Sequence, residues 1–395
     1  MPAALSALAR QASAALPFPP SRVPSSQLPP EALSRPAARA RTALQALLDR
    51  CATLDPALPS GYTNHLPMAL HALARLGADA DRLEAFAHQY LMRQGLAGAG
   101  AANGGNGTNG TDAAEGAPPP PPAPPQVLPG WQRLRGLADA YGPLREAMVQ
   151  GLALHGTGPW VRGVLPALWP GLGAAALHGP IRVAHALQAG HDAELASALA
   201  FWASRWRPLP AVAATDPQPW ADWVVALQAA GGRLALEAPS ISHCMAEASR
   251  SPLYQHLLAR APQALPLGEA LARLVPVALQ GHALSGDFTV LHLVTGLRAV
   301  RVLLPWLPPQ TDASVLWRVV VAGWLAAPLH RASFRPLPRP DTLPGWPALR
   351  AAACAQDDDH VIKLVHACQD HAAHGLADGA LCRQAAARAL TGTPG

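Results

Sequence analysis

Four histidines are the first residues of this sequence whose type and setting could do chemistry. His65, His178, His292 and His360 lie in apolar surroundings at or near the starts of predicted helices, and the 395-residue chain has 16 histidines in total. A lone histidine in such a setting is often a core residue that is hydrogen-bonded to the backbone. Four of them on four separate helices instead favour a shared metal centre inside a helical bundle.

Lys363 is the one lysine among 30 lysine and arginine residues, and aliphatic residues flank it. Burial disfavours the charged amine and lowers its pKa, whereas arginine keeps its proton. Because His360 lies three residues earlier, both side chains can approach one point from the same helix face. An amine that captures carbon dioxide becomes a carbamate, whose oxygens beside imidazole nitrogens suit iron, manganese or zinc. A simpler alternative stays open, in which Lys363 forms an ion pair with Asp359 or Asp370.

Composition excludes several classes of partner. Half of the residues are hydrophobic and 14% are charged, and the net charge of +5 comes from scattered arginines that form no basic stripe, which argues against nucleic-acid binding. Five dispersed cysteines form no CxxC pair, as expected for reduced thiols. No uninterrupted apolar run is long enough to cross a bilayer, so we expect a soluble, cytoplasmic protein without a membrane partner. The oligomeric state stays open.

The elements that must position these residues are predicted to be helices. Alanine, leucine and arginine dominate, and apolar residues recur at spacings of three and four, which predicts an all-α fold with one large domain over residues 45–395. Residues 1–44 are expected to form an extended, proline- and serine-rich lead-in. The Gly/Asn/Pro-rich residues 97–126 cannot bury enough apolar surface to order themselves, so they predict a flexible, disordered insertion.

The helix boundaries follow from the apolar period and from glycine, proline and capping residues. Proline at positions 180 and 276 should kink or interrupt its helix. A helical hairpin is predicted from Asn64 to Leu76 and from Asp79 or Asp81 to Met92. Further helices are predicted at 133–153, 172–189, 193–206, 220–236, 242–260, 267–283, 287–304, 312–327, 357–374 and 378–390.

The four histidines and the lysine lie in short motifs that resemble the questin oxidase-like family. The resemblance runs in order from about residue 45 to 375, apart from the low-complexity insertion. Several motifs at consistent spacing make it fairly specific, and the motifs are Asn64-His65-Leu66-Pro67-Met68-Ala69-Leu70, Leu177-His178-Gly179-Pro180-Ile181-Arg182, Leu291-His292-Leu293-Val294-Thr295-Gly296 and Asp359-His360-Val361-Ile362-Lys363.

The resemblance implies an all-helical oxidoreductase that opens the ring of an anthraquinone-type or other aromatic polyketide with dioxygen. It also implies a non-haem iron held by His65, His178, His292 and His360, with Lys363 as a carbamate. His360 and Lys363 would then act in catalysis as well.

Other roles and other functions stay open at this point. Tyr62 and Arg298 could orient a phenolic or carbonyl substrate, or could be structural. His366 could tune the site, while His185 is expected to pack in the core. One alternative function is an NADPH-dependent Baeyer–Villiger type monooxygenase, although the chain carries no recognisable dinucleotide fingerprint. The other is a non-enzymatic helical binding module with structural histidines.

Overall fold

The structure, a computed structural model, describes residues 35–58, 60, 62–96, 130–332 and 334–392. Within these ranges the chain forms sixteen α-helices and no β-strand, which confirms the all-α prediction. Their buried apolar side chains form one continuous core that extends from the first helix to the last. The predicted insertion at 97–126 and the first 34 residues of the predicted lead-in lie outside the described residues.

The described chain contains the following helices. In order they are α1 (Arg35–Ala52), α2 (Leu66–Leu76), α3 (Ala80–Arg93), α4 (Tyr141–His155), α5 (Thr157–Leu168), α6 (His178–Ala189), α7 (Asp192–Ser204), α8 (Trp220–Ala230), α9 (Ile241–Ala248), α10 (Pro252–Arg260), α11 (Leu267–Ser285), α12 (Phe288–Leu303), α13 (Ser314–Ala326), α14 (Trp346–Cys354), α15 (Asp359–Ala373) and α16 (Gly379–Thr391).

Four of these helices form a ring at the centre of the molecule. Helix α2 packs against α6 and α15, and α12 packs against the same two helices. All four bury most of their residues in the core. The ring therefore provides a place where side chains from four separate segments of the chain can meet.

One helix of the described part of the chain is long and apolar enough to cross a membrane by length and composition. It is the segment Phe288–Trp306, which contains α12, and 78% of it is buried inside the protein. A soluble protein buries its central helix in the same way, so the segment is consistent with a soluble fold.

The prediction of an extended lead-in is wrong for residues 35–44, which form the first half of α1. Pro36 lies in the first turn of this helix, where its missing N–H is not needed. Buried residues then recur with a helical period at Leu44, Leu47, Leu48 and Cys51, and they anchor α1 in the core.

Four predicted helices also differ from the structure. Two are shorter than predicted, since the helix expected at 133–153 begins only at Tyr141 and the one expected at 220–236 ends at Ala230. The helix predicted at 172–189 begins only at His178, because the three residues before it have positive φ angles. The helix predicted at 242–260 is divided into α9 and α10 by a turn at Ser249 to Ser251, where Ser251 caps the second helix. The structure also contains α5 and α14, two helices that were not predicted from the apolar pattern.

The two prolines that were predicted to disturb their helices do not interrupt them. Pro180 lies in the first turn of α6, where no helical N–H bond is lost, and Pro276 lies inside the continuous helix α11. Packing of both helices in the core compensates for what proline costs locally.

Candidate metal centre

The N-terminal ends of the four ring helices meet around four histidines. His65 is the N-cap residue of α2, His178 is the first residue of α6 and His360 is the second residue of α15. His292 lies one turn into α12. Because the N-terminus of a helix carries a partial positive charge, this convergence creates a setting that favours anions.

The side chains of these four histidines are in mutual contact. The Nε2 atoms of His65 and His178 are 2.7 Å apart, and their rings stack with centroids 4.6 Å apart. The ring of His360 lies 4.6 Å from that of His65, and the ring of His292 lies 4.9 Å from His178 and 5.4 Å from His360. We call these four histidines, together with Lys363 and Asp359, the first cluster.

Hydrogen bonds orient three of the four rings. The Nδ1 atom of His65 lies 2.6 Å from Oδ2 of Asp359, and Nδ1 of His292 donates to the carbonyl of Phe288 at 2.8 Å. Nδ1 of His178 donates to the carbonyl of Ala175. An imidazole whose Nδ1–H is engaged in this way presents the lone pair of Nε2, which is how metal-binding histidines are usually held.

A strained turn places His178 at the start of α6. Ala175, Ala176 and Leu177 have φ angles of +48°, +55° and +70°, which are left-handed and cost about 1–3 kcal/mol each for residues with a side chain. Leu177 packs against Gly296 of α12 so closely that a Cβ at Gly296 would lie 2.8 Å from Leu177 Cδ1. The core therefore holds the turn in a conformation that its sequence does not favour.

Burial keeps the imidazoles of His65, His178 and His292 neutral. It lowers the pKa of His65 to about 3, with a further contribution from the charge of Lys363, and it holds the pKa of His178 and of His292 well below the usual range. Neutral imidazoles are the form that binds metal ions. Three donor atoms, from His65, His178 and His360, all lie within 4.8 Å of one another, close enough for one ion to contact them.

Lys363 points into the same region and is 4% exposed. Its Nζ atom lies 3.2 Å from Oδ2 of Asp359, so the structure contains the ion pair with Asp359 that was one of the alternatives from the sequence. Burial lowers the pKa of Lys363, and the carboxylate opposes this effect. Burial would raise the pKa of Asp359, but His65, Lys363 and His360 hold it well below its usual range.

One edge of the first cluster opens to solvent beside an aromatic ring. Phe288 is 51% exposed, and its centroid lies 4.6 Å from that of His360 and 4.7 Å from that of His292. Tyr62 is 62% exposed and precedes His65 by three residues, at the entrance to α2. Phe288 was not among the site residues predicted from the sequence. Its position four residues before His292, on the same helix face, was the available signal.

Arg298 lies away from the first cluster. Its guanidinium is buried, bonds to the side-chain oxygen of Gln188 and lies 3.5 Å from Asp370. Burial lowers the pKa of Arg298 to about 10, although Asp370 opposes this effect. The charge of Arg298 acts on a different group of histidines deeper in the ring.

That group comprises His71, His185 and His366, which we call the second cluster. The Nδ1 atoms of His71 and His185 are 2.8 Å apart, and the ring of His366 lies 5.7 Å and 5.5 Å from theirs. One donor atom from each of the three lies within 4.8 Å of the others. His185 thus packs in the core, but it does so as part of a cluster that the sequence analysis missed.

A regular spacing in the sequence could have indicated the second cluster. Each of three ring helices carries a second histidine six or seven residues after the first, and these pairs are His65 and His71, His178 and His185, and His360 and His366. A separation of seven residues is about two helical turns and returns to nearly the same face, whereas one of six is about 1.7 turns and lies about 120° around the helix; both are roughly 9–10 Å along the axis. Parallel helices that share one cluster can therefore each place a second histidine at a similar depth, and their packing decides whether those side chains meet.

The fold and these two clusters define an all-helical protein with histidine-rich centres in its core. Residues 266–368 match the sequence model of the questin oxidase-like family, which agrees with the resemblance of the motifs in this segment. The matched segment contains His292, His360, Lys363 and His366, while the partner histidines of α2 and α6 lie outside it. The family points to an oxidoreductase. A comparison with curated proteins finds no match.

Proposed function

We propose that this protein is a non-haem iron-dependent oxygenase that opens the ring of an anthraquinone-type or other aromatic polyketide. The observation that carries the proposal is the meeting of four helix N-termini at four histidines, next to one buried lysine. The free cysteines are consistent with a cytoplasmic location.

The first cluster fits a transition-metal ion by the chemistry of its donors. His65, His178, His292 and His360 would supply neutral nitrogen ligands, and the tautomers of the first three are already set by acceptors at Nδ1. A carboxylate or carbamate oxygen beside them completes a mixed nitrogen and oxygen set that suits iron. Bound iron would supply the activation of dioxygen. The protein residues hold the donors in place and exclude water from most of their surface.

Lys363 would contribute as a carbamate. The ammonium first releases one proton. The neutral amine then attacks carbon dioxide, a C–N bond forms as one C=O π bond opens onto oxygen, and a second proton leaves the nitrogen, so that a cationic side chain becomes an anionic one. The buried setting lowers the amine pKa and favours the neutral form that can react. The positive ends of four helices favour the anionic product. Asp359 would then lose its ion-pair partner and keep its hydrogen bond with His65.

The exposed ring of Phe288 offers a platform for a flat aromatic substrate at the open edge of the first cluster. Stacking on this ring would hold the substrate next to His292 and His360, whose rings already contact Phe288. Tyr62 is positioned to contact the substrate from the chain segment before His65. A phenolate form of the substrate would also be stabilised by the four helix N-termini. Arg298 has no part in this proposal, because its charge is buried elsewhere.

Two measurements on tag-free protein from iron-replete medium test the proposal. We expect about one equivalent of iron, bound by a set of nitrogen and oxygen donors. We also expect uptake of dioxygen with an anthraquinone-type substrate and no reductant. Less than about a tenth of an equivalent of any transition metal would favour the helical binding module instead.

Labelling with ¹⁸O₂ separates the proposal from the Baeyer–Villiger alternative. A ring-cleaving dioxygenase places both oxygen atoms in the product. A Baeyer–Villiger type monooxygenase oxidises one NADPH, places one oxygen atom in the product and releases the other as water. A single label together with a requirement for NADPH would therefore overturn the proposed mechanism.

Lys363→Arg tests the carbamate. Arginine keeps the positive charge and can still pair with Asp359, so the fold should survive, but a guanidinium cannot react with carbon dioxide. We expect loss of iron and of oxygen uptake with an unchanged circular dichroism spectrum. Full iron content in this variant would contradict the carbamate. Mass spectrometry under carbon dioxide would then show no added carboxyl group on Lys363 in the parent protein.

A further inference from the structure

We propose that the second cluster is a separate binding site for a d¹⁰ metal ion, Zn²⁺ or Cu⁺, held by His71, His185 and His366. This inference goes beyond the proposed oxygenase reaction and does not depend on it. The three residues come from α2, α6 and α15, so the site forms only when the central ring is folded.

Burial and protonation state make these side chains suitable ligands. His71, His185 and His366 are 1%, 4% and 5% exposed. Burial, with the charge of Arg298 as the second contribution, holds the pKa of each well below the usual range for histidine. All three rings are therefore neutral and carry a lone pair at neutral pH.

The cluster leaves polar atoms without partners in an apolar core. Only the contact between Nδ1 of His71 and Nδ1 of His185 joins two of its rings by a hydrogen bond. Nδ1 of His366 and Nε2 of His71 are buried without a hydrogen-bond partner among the described residues. A buried polar atom left unpaired costs about 1–3 kcal/mol, so leucines would pack here at lower cost. A bound ion would provide a partner for the nitrogen donors of the three imidazoles and so offset the cost of burying them.

The geometry requires only a small adjustment to accept the ion. Nitrogen ligands at about 2.0–2.1 Å from a tetrahedral metal lie roughly 3.3 Å from one another. The two Nδ1 atoms are 2.8 Å apart, so ring rotations that separate these atoms by about half an ångström more would give the spacing that the ion requires.

The surroundings of the second cluster select the type of ion. Among the described residues, the carboxylates near this cluster are engaged elsewhere, Asp370 with Arg298 and Arg301 and Glu194 with Arg182, whereas Asp359 contacts His65 in the first cluster. Imidazole donors without oxygen donors suit zinc and copper better than the harder ions that carboxylates attract. The neighbouring charge of Arg298 opposes a dication more than a monocation, which favours Cu⁺ over Zn²⁺ relative to a neutral setting.

The test uses metal-free protein titrated separately with Zn²⁺ and with Cu⁺, and with Co²⁺ as a spectroscopic probe. Wild-type protein should bind one equivalent that the first-cluster variant His65→Gln still binds. His366→Gln should lose this equivalent, with an affinity lower by more than about a hundredfold. His371→Gln is the matched control, because His371 is also fully buried on α15 and belongs to neither cluster. It should bind the ion as wild-type protein does.

Several outcomes would overturn the proposal. They are the absence of a Zn²⁺ or Cu⁺ equivalent in wild-type protein, equal binding by His366→Gln and His371→Gln, and loss of the equivalent in His65→Gln. If His366→Gln does not fold, His185→Gln tests the same site from another helix. Iron content and oxygen uptake report on the first cluster alone, so a failure of the proposed function is recognised independently of this result.

Discussion

The first and second clusters are built by the same helices about two turns apart, yet they differ in everything that surrounds the imidazoles. The first lies at the helix N-termini, contains Asp359 and Lys363, and opens to solvent beside Phe288. The second lies deeper, is enclosed by apolar side chains, and has Arg298 as its charged neighbour. The comparison shows that one repeated spacing on parallel helices can create two sites of different chemistry, because the position along the helix sets the local charge and access.

The charges of the two regions differ in what they favour. In the first cluster, the helix ends and Lys363 are balanced by the carboxylate of Asp359, so an ion with hard oxygen ligands and an anionic substrate are both accommodated. Near the second cluster, the carboxylate of Asp370 is paired with two arginines and that of Glu194 with Arg182. We therefore expect the two clusters to bind different ions, and neither cluster to bind the ion of the other in its place.

The largest effect should come from a change that breaks both clusters at once. Arg182 lies on α6 between His178 and His185, and its guanidinium makes two bonds of 2.6 Å and 3.0 Å to the buried carboxylate of Glu194. Glu194→Ala leaves this buried charge unpaired, which should lower the free energy of unfolding by about 3–5 kcal/mol. Both metal equivalents should weaken together, as measured by urea unfolding and by metal analysis.

A double variant controls for this effect. Arg182→Met with Glu194→Leu replaces the ion pair by apolar side chains of similar size and should lose far less stability than Glu194→Ala alone. Weakening of one cluster alone in Glu194→Ala would contradict the view that α6 positions both.

Acid should destabilise the metal-free protein through the imidazoles of both clusters. The pKa values of His65, His178 and His292 in the first cluster and of His71, His185 and His366 in the second are lowered in the folded protein, that of His65 to about 3, while unfolded histidine has a pKa near 6.5. Between these values the unfolded chain binds more protons, so the free energy of unfolding falls as the pH drops below about 6.5. Each imidazole contributes a slope of about 1.4 kcal/mol per pH unit.

Urea unfolding in chelator between pH 7.5 and 5.0 measures this slope. His178→Asn and His185→Asn each remove one imidazole, one from each cluster, and each should lower the slope by about the same amount. If only one of them does, the imidazoles of the other cluster are already protonated or hydrated in the folded protein, and the two regions differ in burial as well as in charge.

Asp359→Asn should affect the first cluster alone. The amide is a weaker acceptor for Nδ1 of His65 and removes the charge beside Lys363, so the affinity for iron should fall by about 10–100-fold. Asp378→Asn is the control, because Asp378 caps α16, belongs to neither cluster, and asparagine caps a helix equally well. Binding of a d¹⁰ ion to the second cluster should be unchanged in both variants, and a decrease there would mean that the two sites are coupled.

Much of this fold follows from the apolar period of the sequence, and the parts that do not follow have physical causes. The helical hairpin of α2 and α3 was predicted because Gly77 and Asp79 end one helix and begin the next. The late start of α6 could not be predicted, because Ala175 to Leu177 adopt left-handed angles only under pressure from the core. The division between α9 and α10 depends on Ser251, which caps α10. Serine also occurs inside helices, so its presence alone did not predict a helix boundary.

The candidate site residues also divide into those that the sequence predicted and those that it did not. His65, His178, His292 and His360 stood out because each lies in an apolar motif near a helix start. Their distances from one another depend on how the helices pack, which could not be predicted from a single sequence. His71 and His185 resemble ordinary core residues when each is considered alone. Only the recurrence of a spacing of six or seven on several helices distinguishes them, and this spacing matters only once the helices are known to be parallel.

The smallest predicted effect concerns the charge next to the second cluster. Arg298→Gln removes a positive charge that lowers the pKa of His71, His185 and His366, so a cation at these residues should bind up to about tenfold more tightly. Zn²⁺ should gain more than Cu⁺, because the repulsion that disappears scales with the charge of the ion. Asp370 keeps Arg301 as its partner at 2.7 Å, so the variant leaves no buried carboxylate unpaired. Equal gains for both ions, or tighter binding of iron at the first cluster, would show that Arg298 acts through packing and not through its charge.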